Sequence, residues 1–441
     1  MKKKILMLAV AAVSIPTQGQ TLEECWRAAE QNYPLIRQYD LIEKTKLLTV
    51  ANIQKGWLPQ VSAQAQATYQ SDVTAWPDQM KTMMTGMGVD MKGLTKDLYR
   101  VAVDVQQTIY DGGTISNQKS IAREQANVQS AQTEVNLYAV RRRVNEMYFS
   151  LLMLEEQMQL NRDLQELLAG NERKLKAMVK SGTAAESDWK SIRAERLNVV
   201  QQATTLQSQK RMLTAMLYTF CGFAPPSAPE RLRVGELCSG MGATIVKPAI
   251  VPPSGGEWGA RPEMRLFDAQ LRLTEAQEQG LKSALMPRLG IFAQGYYGYP
   301  GLNMFQDMMR HRWSLNGMIG ARLTWNIGAL YTHKNDKAKL QLQRQLTETN
   351  RDVFLFNNRL EQIQQQEEIA RYRKLMADDE EIISLRSAVR KAAESKLAHG
   401  IIDVNDLVRE INQENAARVQ RSIHEIEMLK EIYDNKFTTN N

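Results

Sequence analysis

Two long stretches of the sequence contain no proline, and each includes a long segment that also lacks glycine. Proline is missing from residues 78–224 and 301–441, and glycine is missing from residues 114–169 and 329–399. Inside a helix, proline costs about 3 kcal/mol and glycine about 1 kcal/mol. These absences exclude a chain of many short elements and leave room for two very long helices.

Other absences narrow the class of protein. After residue 20, no apolar run reaches the roughly 18 residues of a membrane-spanning helix, which excludes a polytopic helical membrane protein. The net charge is +7, with three positive charges in Lys2, Lys3 and Lys4, so nucleic-acid binding is not expected. The chain has no phosphate-binding glycine loop and no nucleophile elbow, and its four histidines lack metal-ligand spacing. No enzyme, cofactor or metal site is expected.

Cysteine is also scarce, with three residues in the chain. In an oxidising compartment they allow at most one intrachain disulfide. Cys221 and Cys238 enclose a proline-rich stretch and could form it. The alternative is that all three cysteines are small, partly buried apolar residues.

Residues 1–19 have the pattern of a signal peptide. Lys2–Lys4 are basic, Ile5–Ile15 are apolar, and small and polar residues follow up to Gly19. The pattern predicts cleavage near Gly19 and export from the cytoplasm. Leu22-Glu23-Glu24 precede Cys25 instead of small residues, so lipid attachment is not expected.

The stretches without proline predict helices over residues 114–180 and 329–398. Each would be roughly 100 Å long at about 1.5 Å per residue. In the first, apolar residues recur at steps of three and four: Val144, Met147, Leu151, Leu154 and Met158. A seven-residue repeat of this kind packs one helix along another as a coiled coil.

Both predicted helices end at a similar signal. Gly182 and Gly400 follow them, and Asp188 and Asp406 each come six residues after the glycine. Glycine supplies the left-handed conformation that ends many helices, and a polar residue then begins the next one. Each half of the chain is therefore predicted to contain a long helical hairpin.

The two halves of the chain repeat each other. Pro34 and Pro262 lie 228 residues apart, and Pro59 and Pro287 have the same offset. We predict an internal duplication, with a first repeat over 20–221, a proline- and glycine-rich linker over 222–259 and a second repeat over 260–441. The long hairpins would cover residues 114–220 and 329–436.

Before each hairpin lie two segments in which apolar and polar residues alternate. They cover about residues 60–70, 100–110, 288–299 and 315–326. Alternation over about ten residues suits tilted strands that cross a bilayer. Aromatic residues would form two belts at the strand ends, with Trp57, Tyr110 and Trp325 at one level and Tyr69, Tyr99, Tyr299 and Trp313 at the other. The predicted class is mainly α with membrane β-strands, and the alternative is a soluble sandwich.

Four strands cannot close a barrel by themselves. An open strand edge is not tolerated in lipid, because each unpaired backbone group costs several kcal/mol there. The barrel would therefore be shared between chains, which predicts an oligomer.

In their order and spacing, several short motifs resemble the outer-membrane efflux protein family, the TolC-like exit ducts of Gram-negative bacteria. They are the segment Leu22 to Ala29, Asn32-Tyr33-Pro34, Tyr110-Asp111-Gly112-Gly113, Arg261-Pro262-Glu263 and the two glycine–aspartate helix ends. The resemblance covers essentially the whole mature chain. It implies a homotrimer in the outer membrane, whose twelve strands form one transmembrane barrel continued by a coiled-coil helical tunnel through the periplasm.

The resemblance also implies partners and an arrangement of helices. A periplasmic adaptor would connect the tunnel to an inner-membrane pump, and the pump would select the cargo, whether drugs, metal ions, peptides or proteins. Helices over 21–56 and 183–220 would stack end to end beside the first long helix, and helices over 262–284 and 403–436 beside the second.

Members of this family close the periplasmic end with rings of acidic residues. Asp406 matches the first acidic position, but Arg409 stands where the second is expected. Asp403 lies one turn earlier on the same face, so Asp403 and Asp406 are the candidate constriction. The alternative is helix capping by Asp403 and favourable first-turn placement of Asp406.

Other candidate residues lie at the hairpin ends and on the strands. The resemblance implies that the adaptor contacts the hairpin ends, at Gly182, Thr183, Asp188, Gly400 and Ile401. Asp104 and Arg322 fall on the polar, lumen-facing side of their strands, where they would set the charge of the channel or pair with each other.

A methionine stripe lies between the first two strands. It consists of Met80, Met83, Met84, Met87 and Met91, and Met304, Met308 and Met309 lie in the matching loop. Thioether groups can bind Cu(I), and the same spacing gives the apolar side of a short amphipathic helix.

We therefore predict an outer-membrane exit duct that conducts substrates passively from an inner-membrane pump. The competing hypothesis is an exported coiled-coil protein that acts as a periplasmic adaptor or spacer without a pore. The two differ in whether the alternating segments face lipid.

Overall fold

The computed structural model describes residues 21–88, 93–223 and 261–440. The first half contains α1 (Leu22–Asn32), α2 (Arg37–Gln54), β1 (Gln60–Tyr69), α3 (Asp78–Gly86), β2 (Asp97–Tyr110), α4 (Thr114–Lys180) and α5 (Glu186–Cys221). The second half contains α6 (Pro262–Ala284), β3 (Arg288–Tyr299), α7 (Met304–Arg310), β4 (Ser314–Thr324), α8 (Ala329–Ala398) and α9 (Val404–Thr439). The predicted fold class, mainly helical with four strands in each chain, is confirmed.

The two long helices cover the residues that the missing prolines and glycines indicated. Helix α4 has 67 residues and α8 has 70. Helices α5, α6 and α9 also lie within a few residues of their predicted bounds. Strand β2 begins three residues earlier than expected, and β4 ends at Thr324, two residues short of the expected end.

The first helix differs from its prediction. A single helix was expected over residues 21–56, but α1 ends at Asn32, short 3-10 turns occupy Pro34–Ile36 and Lys55–Trp57, and α2 lies between them. The cause is Pro34, since proline disfavours the helical conformation of the preceding residue. Tyr33 accordingly has an extended ψ of 131°.

The chain forms two compact units, and each takes residues from both halves of the sequence. Among the described residues, the first unit contains 21–38, 132–223, 261–264 and 352–440, and the second contains 39–88, 93–131 and 265–351. The units therefore cut across the predicted repeats. Helices α2, α4, α6 and α8 contribute residues to both units.

The core of the first unit is built from α1, α4, α5 and α9. Its largest fully buried side chains include Tyr148, Phe149, Leu151, Leu217 and Leu429. Three members of the predicted seven-residue repeat of α4, Val144, Leu151 and Leu154, are buried. A second cluster joins α4 and α5 to α8 and α9 nearer the hairpin ends, through Leu168, Ile192, Leu407 and Ile411.

The second unit contains an antiparallel sheet with the strand order β1-β2-β3-β4. A β-bulge in β2 lies between Thr108 and Tyr110, opposite β3.

The turn after β2 leads directly into α4. The Asp111 side chain begins that helix, because it accepts hydrogen bonds from the N–H groups of Gly113 at 2.8 Å and Ile115 at 2.6 Å. Gly112 has a φ of +67°, and a Cβ there would lie 2.5 Å from the Cβ of Met286. Only glycine fits this turn without strain.

Candidate functional site

One face of the sheet consists of exposed apolar side chains. The register aligns Val61, Val105, Ala293 and Ile319 in a single row across all four strands. Ile319 is 81% exposed, and the same face carries further exposed apolar residues: Val101, Val103, Leu289, Ile291, Leu315 and Leu323. A continuous exposed apolar surface that crosses all four strands indicates a face that contacts a partner protein or a membrane.

The opposite face of the sheet is polar and contains a hydrogen-bonded network. Asp104 accepts hydrogen bonds from Gln64 at 2.9 Å and from Gln294. Arg100 donates to the side-chain oxygen of Gln294 and lies 4.0 Å from the ring centre of Tyr296. The network crosses β1, β2 and β3 and fixes the orientation of the Asp104 carboxylate.

Arg322 lies on the same face but does not pair with Asp104. The register sets Asp104 opposite Gln294 and Arg322 opposite Gly290, four residues further along β3. Arg322 instead lies over the ring of Phe292, 5.0 Å from its centre. The predicted pairing of Asp104 with Arg322 is therefore wrong within one chain, because Asp104 binds Gln64 and Gln294 and Arg322 lies over Phe292.

The outer strands of the sheet have open edges. Strand β1 pairs with β2 alone and β4 pairs with β3 alone within the described part of the chain. Unpaired strand edges are templates for pairing with another chain. The second edge of each outer strand is therefore available for a partner.

The aromatic residues at the strand ends fall into two groups along the register. Tyr99 lies opposite Tyr299 and stacks on Trp313 with a centroid distance of 6.0 Å. Tyr69 lies opposite Asp97 at the same end of the sheet. Tyr299 differs from the others, because its side chain is buried and its hydroxyl accepts a hydrogen bond from the Thr95 N–H.

The second aromatic group lies at the other end of the sheet. Tyr110 lies opposite Leu289, and the Trp325 side chain donates a hydrogen bond to the carbonyl of Leu285 at 3.0 Å. The carbonyl of Trp57 accepts a hydrogen bond from Gln107 at 2.6 Å. Contact of either group with lipid stays a prediction.

The connections between the strands contain α3 and α7. The methionine stripe begins on α3, where Met80 and Met83 are exposed, and continues to the exposed Met87 directly after the helix. Met91 lies outside the described residues. On α7, Met304 and Met309 are exposed while Met308 is buried. The structure contains the short helix that the amphipathic alternative required, and copper binding stays a prediction.

Both hairpin ends have the predicted glycine geometry. Gly182 has a φ of +74° and Gly400 a φ of +69°. At each end the next residue closes the helix, since Thr183 N–H donates to the Met178 carbonyl and Ile401 N–H to the Lys396 carbonyl, both at 2.9 Å. These hydrogen bonds satisfy carbonyl groups that the helix end leaves unpaired.

The acidic residues after the glycines cap the returning helices. The Asp403 carboxylate accepts a hydrogen bond from the Asp406 N–H at 2.9 Å, so Asp403 is the N-cap of α9. Asp188 accepts from the Ala185 N–H at 3.3 Å in the first turn of α5. Asp406 forms an ion pair with Arg409 at 3.0 Å. The capping role of Asp403 is confirmed, and a role in a constriction stays a prediction.

A buried charged cluster joins α8 to α9 behind this hairpin end. Arg390 donates from Nε to the Glu414 carboxylate and from Nη1 to Glu394 at 2.5 Å, and Arg418 donates to Glu414 at 2.7 Å. Burial alone would raise the pKa of Glu414, but the hydrogen bonds from Arg418 and Arg390 outweigh it and hold that pKa below its ordinary value. Glu414 and Arg418 are four residues apart on one helix, a spacing that indicates an ion pair from sequence alone. Arg390 lies on another helix, and no sequence pattern connects it to Glu414.

A second polar contact that the sequence did not reveal lies inside the apolar core. The Trp26 side chain donates to Asn145 Oδ1 at 2.8 Å, and Asn145 donates to Asp434 Oδ1 at 2.9 Å. These bonds connect α1, α4 and α9 through one amide. Burial raises the pKa of the Asp434 carboxyl.

The structure describes two of the three cysteines, Cys25 and Cys221. Cys238 lies outside the described residues, so its predicted bond to Cys221 has no structural account. Cys221 faces Cys25 instead, and its Sγ lies 3.6 Å from the Cys25 carbonyl oxygen. The side chains of both residues are buried.

In the part of the chain that the structure describes, no helix is both long enough and apolar enough to cross a membrane.

The pair of long helical hairpins and the four-stranded sheet define a class: the chain has the fold of TolC-like outer-membrane channels. It is similar to the outer-membrane channel OprN, with 14% identity, a TM-score of 0.66, and coverage of 96% of this chain and 90% of that one. It is also similar to the Campylobacter jejuni outer-membrane channel CmeC, with 12% identity, a TM-score of 0.63, and coverage of 95% and 85%.

A third similar structure is the outer-membrane protein VceC of Vibrio cholerae. Its identity is 12% and its TM-score 0.62, with coverage of 95% of this chain and 94% of that one. No protein-family model and no curated protein matches the chain in sequence. At identities of 12–14%, the likeness shows the fold alone. It covers 95–96% of this chain and 85–94% of the three similar chains.

Proposed function

We propose that this chain is one subunit of an exit duct in the outer membrane of a Gram-negative bacterium. Three copies would form a shared twelve-stranded barrel, continued into the periplasm by a helical tunnel. The duct would conduct substrates passively, as part of a tripartite efflux or type I secretion-like system. The proposed role is transport without catalysis.

The observation that carries this proposal is the two-faced sheet with open edges. Its apolar face is exposed on all four strands, and its polar face holds the Asp104 network. A membrane barrel alternates lipid-facing and lumen-facing residues in this way. Edge-to-edge pairing of β4 with β1 of the next copy would remove every open edge.

The helices support assembly from identical copies. On α8, the side chains of Val353, Phe356, Leu360 and Ile363 follow steps of three and four, yet they are 51–63% exposed in the single chain. Apolar residues at this spacing form the seam of a coiled coil. We propose that α8 of one copy packs against a neighbouring copy along this seam.

The sheet can be tested by a matched pair of substitutions on β4. Ile319 is in the middle of the apolar face, and Met318, the preceding residue, points to the polar face. Ile319→Arg would cost about 2–4 kcal/mol at the middle of a bilayer, while Met318→Arg would face water. We expect Ile319→Arg to abolish recovery from the outer-membrane fraction and Met318→Arg to preserve it.

The competing proposal, a periplasmic adaptor or spacer without a pore, predicts a different outcome. If β4 lies in water, Ile319→Arg and Met318→Arg would leave the protein equally well folded and soluble. Light scattering of the wild-type protein in mild detergent adds a second measurement. A protein mass of three subunits in the outer-membrane fraction supports the duct, whereas a soluble monomer or dimer in the periplasm contradicts it.

The hairpin ends are the proposed site of adaptor contact and of the constriction. We propose that Asp403 and Asp406 line the constriction and that Gly182, Thr183, Asp188, Gly400 and Ile401 belong to the adaptor surface. Because Arg409 pairs with Asp406, each copy would contribute charges of both signs. Arg409→Ala should therefore increase cation preference in bilayer conductance, and Asp406→Ala should decrease it. Unchanged reversal potentials in both variants would contradict the constriction.

A further inference from the structure

We propose that Cys25 and Cys221 form a disulfide bond that joins α1 to the end of α5. Cys25 lies on α1 and Cys221 is the last residue of α5, 196 positions along the chain. Their exposed fractions are 0% and 4%, and the Cys221 Sγ lies 3.6 Å from the Cys25 carbonyl oxygen. Both residues belong to the same buried cluster of the first unit.

The surrounding structure holds the two cysteines in register. Leu22, Trp26 and Leu217 belong to the same buried cluster. Just before Cys221, the carbonyls of Thr219 and Phe220 accept hydrogen bonds from the Asn32 side chain, each at 3.2 Å, which closes the end of α5. Helix α1 is therefore held against α5 on both sides of the thiols, which keeps the two cysteines close together.

The bond would form by thiol–disulfide exchange with a disulfide of the exporting compartment. The Cys221 thiolate attacks one sulfur of the donor, and one donor thiol leaves. The Cys25 thiolate then attacks Cys221 Sγ and releases the second donor thiol. The protein loses two protons and two electrons, which the donor gains as two thiols, and one S–S bond replaces another.

Both cysteine side chains are buried in the folded chain. A donor disulfide can therefore reach them only before α1 has docked, and the exchange precedes completion of the core.

The proposal of a disulfide depends on the proposed export of the chain, and it does not depend on the proposed pore. Disulfides persist in oxidising compartments and are rare in the cytosol. A duct that is recovered as a trimer with reduced cysteines would contradict the disulfide alone. A chain that stays in the cytosol would contradict the proposed function, and the disulfide could then be tested only with the purified chain.

The experiment is mass spectrometry of the protein from the membrane fraction, after free thiols are blocked with a maleimide without reductant. We expect one labelled cysteine per chain, Cys238, and a digest fragment that links Cys25 to Cys221. Three labelled cysteines, or a fragment that links Cys221 to Cys238, would overturn the proposal. The Cys238→Ser variant is the matched control and should retain the Cys25–Cys221 fragment with no labelled cysteine.

A second measurement is independent of the compartment. The chain without residues 1–19 is purified in reduced form, refolded from denaturant into mild detergent with oxidised glutathione, and digested in the same way. Formation of the Cys25–Cys221 fragment in the wild type and in Cys238→Ser supports the proposal. Glutathione adducts on Cys25 or Cys221 without the linked fragment would overturn it.

Discussion

Helices α4 and α8 have nearly the same length and the same position in their repeats, but their apolar seams have different environments. On α4, Val144, Leu151 and Leu168 are fully buried against helices of the same chain. On α8, Phe356 and Leu360 are exposed. One seam is thus satisfied within the chain and the other is available for a second copy.

The sequence pattern of a coiled coil therefore does not reveal which chain supplies the partner helix. Both seams use apolar residues at steps of three and four. Helix α4 is surrounded by α1, α5 and α9, which cover it with aromatic and aliphatic side chains. Helix α8 is joined to α9 partly through charged groups, such as Arg390 and Glu414.

The largest expected effect comes from removing a buried side chain of α4. Leu151→Ala leaves a cavity among fully buried neighbours and should destabilise the fold by about 3–5 kcal/mol. The matched change on α8 is Leu360→Ala, whose side chain is exposed in the single chain. Urea unfolding should give a far lower midpoint for Leu151→Ala, and equal midpoints would contradict the contrast between the seams.

The charged cluster between α8 and α9 should be the next most sensitive. Arg390→Ala leaves Glu414 buried with Arg418 as its remaining cation, at a cost of about 3 kcal/mol. Arg386→Ala is the control, because Arg386 lies 3.9 Å from Glu410 near the surface, and such pairs are worth under about 1 kcal/mol. Thermal unfolding compares the two variants, and a larger loss for Arg386→Ala would refute the assignment.

A charge on the exposed seam of α8 should disrupt assembly but not the fold. Phe356→Glu would bury a carboxylate at the interface, at a cost of at least about 2 kcal/mol per copy. The neighbouring Asn357→Glu adds the same charge beside the seam and should have a smaller effect. Light scattering measures the mass and circular dichroism the helix content; a trimer of unchanged stability in Phe356→Glu would place the interface elsewhere.

The weakest predicted effect is on the pH dependence of stability, to which the carboxyl groups of Asp434 and Glu414 contribute with opposite signs. Because burial raises the pKa of Asp434, its contribution to stability is present at low pH and is lost as the pH rises through the raised value. Glu414 has a lowered pKa, so its contribution is lost as the pH falls. Relative to Asp434→Asn, the wild type should gain stability as the pH falls from about 7 toward the ordinary carboxyl range.

That prediction is checked by unfolding midpoints of the wild type and Asp434→Asn over the same pH series. Asparagine can still accept the hydrogen bond from Asn145, so the comparison isolates the charge. A difference between the two that does not vary with pH would show that the Asp434 carboxyl keeps its ordinary pKa.

Local signals predicted much of the fold. The missing prolines and glycines gave the bounds of α4 and α8, and Gly182 and Gly400 gave their ends, because these residues act on the backbone around them. Alternation gave the strands. Pro34 is apparent in the sequence, but the residues on both sides of it favour helix, and the pattern therefore predicted one continuous helix where the structure has two.

Contacts between distant residues were not predictable in the same way. Spacing suggested Cys221 with Cys238, whereas the fold brings Cys221 to Cys25. Likewise, Asp104 and Arg322 carry opposite charges, but the strand register gives each a nearer partner. Register and helix packing depend on many weak contacts at once, and no single residue encodes them.

The ends of the two sequence halves all lie in the same compact unit. Asn32 closes the end of α5, and Arg261 donates to the Phe437 carbonyl at 2.9 Å and so closes the end of α9. Residues 223 and 261, which lie near the two ends of the predicted linker, therefore each lie beside helices of their own half of the chain. Each half of the chain thus closes on its own ends, which is the arrangement expected if the predicted duplication arose by in-frame fusion of two copies of one gene.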